Sequence, residues 1–288
     1  MAREASFREF RERQKIREKN SMNRYSKLSD KMPREFVLLQ GTGCKWQQCT
    51  FCDYHTDVSD DPFEVNRQVL EQVTGEYGVL DVINSGSAFE LDDRTIDLLQ
   101  RIIVEKNIHT LWCEMHWMYR NRLQQFTERI LSGIVQYSPH ALGGVPQRGD
   151  RVDSFLILSP KAQRPSVSNS SFLTIKFRCG IETFNPQLRQ QWHKGVPLTV
   201  TPEDVARYFQ GICLLCCVEG QTKDTILKDI ELAQQHFEYF SVNLFCNNTT
   251  AVRRDESLVK WFIQEVYPTI KDNSKIEILI ENSDLGVG

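Results

Sequence analysis

The sequence predicts an α/β protein: an open, partial (β/α)6 barrel of mostly parallel strands, preceded by a charged N-terminal helical arm. Three observations carry this. From residue 36 onward, short apolar runs alternate with amphipathic stretches, the pattern of βαβ units and a parallel sheet. Six such units in 288 residues suit a partial barrel better than a full eight, which needs about 250 residues of repeats alone. A polar, cysteine-bearing loop directly follows the first apolar run, at the strand end where parallel barrels carry their chemistry. A doubly wound open sheet is the alternative.

The elements follow in order. Residues 1–34 are densely charged, with Phe7, Phe10 and Ile16 sparsely spaced, and read as a helical arm or a solvated extension; residues 35–288 read as the barrel. FVLLQ (36–40) is a strand. Asp60, Asp61 and Pro62 open a helix through Tyr77, with Val65, Val69, Leu70 and Val73 on one face. VLDVI (79–83) is the second strand and 91–106 the second helix. HTLWCEM (109–115) is the third strand, with a helix over about 118–130. LTIKFRCGIET (173–183) is the fourth, followed by short helices near 186–192 and 202–209. ICLLCCV (212–218) and YFSVNLF (239–245) are the fifth and sixth, with helices over 222–237 and 255–267 behind them; KIEILI (275–280) is a last strand. Residues 132–172, rich in Pro, Gly and Ser, break the rhythm where connections are normally a few residues long. They read as an irregular insertion, either a substrate-covering loop or sequence without a structural role.

The formal charge of −3 gives no field directed at nucleic acid or an anionic membrane. No apolar run approaches the roughly 20 residues of a membrane span. The first 20 residues hold no apolar core and several Glu, unlike a secretory or mitochondrial leader. The expectation is a cytoplasmic protein.

Of nine cysteines, Cys113, Cys179, Cys213, Cys216, Cys217 and Cys246 sit in or beside apolar runs and read as core thiols. Cys213 and Cys216 form a CxxC, but within a strand-like segment. Cys44, Cys49 and Cys52 differ, because Lys45, Gln47, Gln48 and Thr50 place them in a polar loop. Soft thiolates gathered in a short loop suit an iron–sulfur cluster or zinc. Three ligands leave one iron of a cubane open to an exogenous chelator. A structural zinc held by Cys44, Cys49, Cys52 and His55 is the alternative from another class.

The segment GTGCKWQQCTFCDYH (41–55) resembles the cluster loop of the radical S-adenosylmethionine (SAM) enzymes, in which the open iron chelates SAM. The match lies in Cys49-Thr-Phe51-Cys52; the gap from Cys44 to Cys49 is four residues, not the commoner three. The resemblance implies a [4Fe–4S] cluster on Cys44, Cys49 and Cys52, and SAM cleavage to a 5′-deoxyadenosyl radical. It also implies a one-electron reductant such as flavodoxin or ferredoxin. Phe51 would lie against the adenine. Ser85, Gly86 and Ser87 resemble the turn receiving the SAM amino group, and CGIET (179–183) the stretch, with Glu182, near the ribose and methionyl group. Val218 and Gly220 sit in a turn like the family's fifth-strand exit, without its usual proline. Within the superfamily, the cysteine spacing and the ending EILIENSDLGVG (277–288) look most like the queuine lyases of queuosine salvage, which cleave queuine to a smaller 7-deazaguanine. A radical SAM oxidoreductase of another small molecule is the second reading.

Polar residues at strand ends supply further candidates. Glu114 and His116 follow the third strand and are the catalytic candidates; a carboxylate there suits the SAM ribose or the paired donors of a deazapurine. Trp117 or Tyr119 would stack on a flat heterocycle. Arg178 and Glu182 share parity on the fourth strand, so both would enter the barrel, needing partners or ligand. Asn243 and Asn248 are lesser candidates. The ordinary readings are a solvent-facing carboxylate, a satisfied histidine and aromatic wedges.

Overall fold

The computed structural model describes residues 22–137 and 173–287. Eight strands form one sheet in chain order. They are β1 (Tyr25–Leu28), β2 (Arg34–Leu39), β3 (Val79–Asn84), β4 (Thr110–Met115), β5 (Thr174–Glu182), β6 (Gly211–Cys216), β7 (Tyr239–Leu244) and β8 (Ile276–Leu279). β1 pairs antiparallel with β2, and every later pair is parallel. Seven parallel strands joined by six helical crossovers give the predicted partial barrel.

The sheet curls until its two sides touch. Arg34 on β2 and Glu277 on β8 lie at opposite ends of the parallel order, yet their side chains meet at 2.6 Å. Lys31 donates to the Ile276 carbonyl at 2.7 Å. Strand alternation then sorts the side chains. Val37, Leu39, Val82, Cys113, Cys179, Ile181, Cys216 and Leu244 pack outward against the helices in one core. Cys113, Cys179, Cys216 and Cys217 are buried there as small hydrophobes; Cys246 is only half-buried, and all nine cysteines are free. The alternate residues line the concave face.

The structure redraws three boundaries. Residues 25–28, within the expected helical arm, form β1, because Tyr25 and its neighbours complete the edge of β2; residues 1–21 lie outside the described set. The helix opened by Pro62 ends at Leu70 rather than Tyr77. The Glu35 carboxylate captures the N–H groups of Thr74 and Gly75 at 2.7 and 2.6 Å, and Gly75 turns the chain at φ 77°. The third helix starts as a 3-10 turn, Trp117–Arg122, and continues over Leu123–Tyr137, past the expected start of the insertion at 132. The rest of that insertion, 138–172, lies outside the described residues.

Candidate active site

The cysteine loop leaves β2 and is tied to two neighbouring strand exits. Gly41 N–H donates to Ser85 Oγ at 3.1 Å, and Thr42 N–H to the Glu90 carbonyl at 2.9 Å. Gly41 has room only for hydrogen: a Cβ would lie 2.9 Å from Asn84 Nδ2. The Glu90 carboxylate, 3% exposed, gathers three donors: Lys45 N–H at 3.0 Å, Ser87 N–H at 2.7 Å and the Tyr119 hydroxyl at 2.8 Å. Ser87 Oγ accepts the His116 N–H at 2.9 Å. The predicted Ser85–Gly86–Ser87 turn thus stitches the loop to β3 and β4. Its serines are buried and only Gly86 is partly exposed, leaving that backbone open to a ligand. A Cβ on Gly86 would meet Glu90 Oε2 at 1.9 Å and Cys44 Cα at 3.0 Å.

The other side of the loop rests on residues after β5. Trp46 donates to the His193 carbonyl at 2.7 Å and stacks on the His116 ring at 5.5 Å. Thr50 N–H reaches the Trp192 carbonyl at 3.1 Å. Asn248 Nδ2 donates to the Phe51 carbonyl at 2.7 Å, so Asn248 holds the loop from the β7 exit. Phe51 packs in a small apolar cluster with Leu188, Trp192, Leu215, Val218 and Phe245, with Cys49 and Cys52 against it. Val218 is buried, while Gly220, at φ 90°, faces open space with nothing within 4 Å of a Cβ.

The three loop thiols are half-buried and near enough for Cys49 to feel the charge of Cys44, and Cys52 that of Cys49. Burial pushes the Cys52 thiol up to about 12 and raises Cys49 as well, with Lys194 opposing both. Among the described residues no three donors converge as a finished metal site. As a donor set the three fit a soft metal: thiols of one short loop, lodged in a partly apolar pocket, become thiolates when a metal takes the proton's place. His55, the fourth ligand of the zinc alternative, sits half-exposed in the turn Tyr54–Thr56.

Inside the curl runs a chain of charges. Asp81, 0% exposed, accepts from Arg34 Nε at 2.9 Å. It also accepts from both terminal nitrogens of Arg178, at 3.1 and 3.0 Å. Arg178 Nε stands 3.5 Å from Glu114 Oε2. Protein surrounds Glu114, yet 31% of its side chain is open to the interior space; burial raises its carboxyl, with Arg178 opposing. Glu182 pairs with Lys194 Nζ at 2.8 Å. Glu182, the last residue of β5, and Cys217, just after β6, hold left-handed backbones at φ 68° and 61°, the kind of strain that gathers at functional sites.

The candidate residues differ in how far protein partners already occupy them. His116 is buried with both ring nitrogens taken: Nε2 meets the Lys194 carbonyl at 2.9 Å and Nδ1 accepts the Met118 N–H at 3.2 Å. That pairing requires the neutral Nε2–H tautomer. Burial, then the charge of Lys194, lowers its pKa to about 3. Both ring nitrogens of His116 are thus engaged within the protein, the arrangement of the satisfied histidine that is its ordinary reading. Trp117 and Tyr119 are both buried, and Tyr119 stacks on Phe89 at 4.9 Å while its hydroxyl is bound to Glu90. The sequence reading missed Asp81, Glu90, Trp46 and Lys194. Only Glu90 had a local signal, the Ser-x-x-Glu spacing from Ser87; the others act through partners distant in sequence.

No family model and no curated protein matches the chain. Among solved structures it is similar to a queuine lyase from Clostridium spiroforme bound to SAM and queuine. The two are 35% identical with a TM-score of 0.75, the match covering 93% of this chain and 99% of that one.

Proposed function

The chain belongs to the queuine lyase family of radical SAM enzymes, and from that premise we propose that it cleaves queuine to a smaller 7-deazaguanine. The observation that carries the reading is the coincidence of two things. A three-thiol loop is braced at the C-terminal ends of parallel strands, and the chain is similar over nearly its whole length to an enzyme holding SAM and queuine. Cys44, Cys49 and Cys52 would hold a [4Fe–4S] cluster, and Gly86, Glu182, Val218 and Gly220 border the space for SAM. With cluster and SAM bound, one-electron reduction supplies a radical able to abstract hydrogen from the substrate.

The chain's own residues set the stage for that chemistry. Glu90 and Trp46 fix the loop from opposite sides. Lys194 stays protonated because Glu182 and Cys49 overcome the burial that opposes its charge, and it places a cation beside the thiols. Phe51 and its neighbours make the wall against the loop apolar, which limits water at the reacting centre. The electron is supplied by a flavodoxin or ferredoxin, and the protein works in the cytoplasm.

The test is anaerobic reconstitution followed by turnover. The protein should bind about four iron and four sulfide. With reductant and SAM, queuine should accelerate 5′-deoxyadenosine formation and yield a smaller 7-deazaguanine. Cys44→Ala, Cys49→Ala or Cys52→Ala should remove the iron, and Cys213→Ala should not. Zinc without iron would overturn the cluster; 5′-deoxyadenosine formation that queuine neither accelerates nor couples to cleavage would overturn the substrate.

A further inference from the structure

We propose that Glu114 is the group that selects the base of the substrate, its carboxylate receiving the lactam N–H and exocyclic amine of a 2-amino-4-oxopyrimidine ring, with Asp81 and Arg178 as positioning residues. The inference rests on the queuine reading above, since a 7-deazaguanine carries that edge.

The concave face holds one carboxylate too many. Arg34, Arg178 and Lys194 face Asp81, Glu114, Glu182 and Glu277: three cations against four anions. Glu114 is the weakly held member. Asp81 occupies both terminal nitrogens of Arg178, Arg34 shares Asp81 and Glu277, and Glu182 has Lys194 at 2.8 Å. Glu114 has Arg178 Nε at 3.5 Å and the Cys213 thiol at 3.8 Å, both on Oε2. Arg178 Nε makes no hydrogen bond there although it is buried. Oε1 accepts no hydrogen bond from any described residue.

Charge and fit both indicate a donor-rich ligand. Glu114 Oε1 is a carboxylate oxygen that reaches the open interior space and has no donor from the described residues, so it is free to accept from a ligand. A carboxylate with a free oxygen, in a site where burial has raised its pKa, gains most from an edge of two parallel N–H groups. A second acceptor on the same face, Asn243 Oδ1, is buried without a partner. Gly180 leaves space beside Glu114. A Cβ there would lie 3.7 Å from Glu114 Oε1, 3.4 Å from Lys194 Nζ and 2.9 Å from Glu182 Oε1, so any side chain at 180 would occupy the approach of a planar ring. Rigidity comes from behind: with two of its nitrogens fixed on Asp81, Arg178 can offer Glu114 only Nε, which stands 3.5 Å from Oε2 as a fixed charge and leaves Oε1 without a donor.

The experiment compares queuine with its analogue lacking the 2-amino group, by equilibrium binding to the reconstituted holoenzyme with SAM under anaerobic conditions. The unaltered protein should prefer queuine by about tenfold to a hundredfold, the worth of a hydrogen bond to a charged group. Glu114→Gln and Glu114→Ala should weaken queuine binding and bring that ratio close to one, with SAM affinity unchanged. Asp81→Asn should lower the ratio in part, a change that loss of stability alone would not produce; if that variant does not fold, the two Glu114 variants decide. A ratio unchanged in the Glu114 variants, or SAM affinity falling in place of queuine affinity, overturns the assignment. Failure of the unaltered protein to bind queuine would instead overturn the substrate reading.

Discussion

Lys194 Nζ lies 2.8 Å from Glu182 Oε1, with both side chains about nine-tenths buried. A pair this enclosed is weak evidence of net stabilisation, but removing one partner strands the other charge. Lys194→Met should therefore lower unfolding stability by about 3–5 kcal/mol, measured by denaturant titration of the metal-free protein. Lys194→Met with Glu182→Gln should recover much of that loss. Equal losses in the single and double variants would show that the pair is not the cause.

Glu90 should matter to metal retention although it is not one of the proposed ligands. Its carboxylate holds Lys45 N–H, next to Cys44, together with Ser87 and Tyr119. Glu90→Ala strands these donors at about 1–3 kcal/mol each at most and frees the cysteine loop. Iron after reconstitution and desalting should fall well below that of the unaltered protein, with Glu90→Gln between. Full iron content in Glu90→Ala would mean the loop does not depend on this anchor.

The turn at Gly195 offers a steric test. Its φ is 73°, and a Cβ would lie 2.4 Å from the Trp46 ring. Gly195→Ala combines backbone strain of about 1 kcal/mol with displacement of Trp46. A lower melting temperature and red-shifted tryptophan emission should follow; the absence of both would show that Trp46 is not clamped.

His116 gives a pH signature. Its folded pKa is depressed to about 3, whereas in the unfolded chain it titrates near 6.5. The unfolded state therefore binds the extra proton, and the stability it contributes is lost as pH falls from about 6.5 toward 3, at up to about 1.4 kcal/mol per pH unit. Relative to His116→Asn, the metal-free protein should lose stability across that window and show a constant difference above pH 7.5. A difference that does not change with pH would mean the imidazole is free to charge.

What could be read in advance followed from local pattern. FVLLQ, VLDVI and ICLLCCV declared themselves as buried parallel strands because both faces are apolar or enclosed, and Cys44, Cys49 and Cys52 stood out against a polar loop. β1 did not, because Tyr25–Leu28 is a short edge strand with few apolar residues, indistinguishable from the charged segment around it. The helix end at Leu70 depends on Glu35, far back in the chain. His116 had the residue type of a catalyst and the right strand end; that its ring nitrogens meet the carbonyl of Lys194 and the N–H of Met118 could be seen only in three dimensions. Residues that act through contacts between distant segments, Asp81, Glu90 and Lys194 above all, leave no periodicity to detect.

The chain of charges inside the curl has a thermal consequence. Exposing apolar surface raises the heat capacity on unfolding, while exposing polar surface lowers it. Many barrels fill their interior with aliphatic layers, whereas here Arg34, Asp81, Arg178 and Glu277 occupy that place. The interior should thus add little to the heat-capacity increment, which would come mainly from the helix-facing core. Scanning calorimetry should find an increment below the usual value of about 12–15 cal/mol/K per residue, and a stability curve correspondingly broad across temperature.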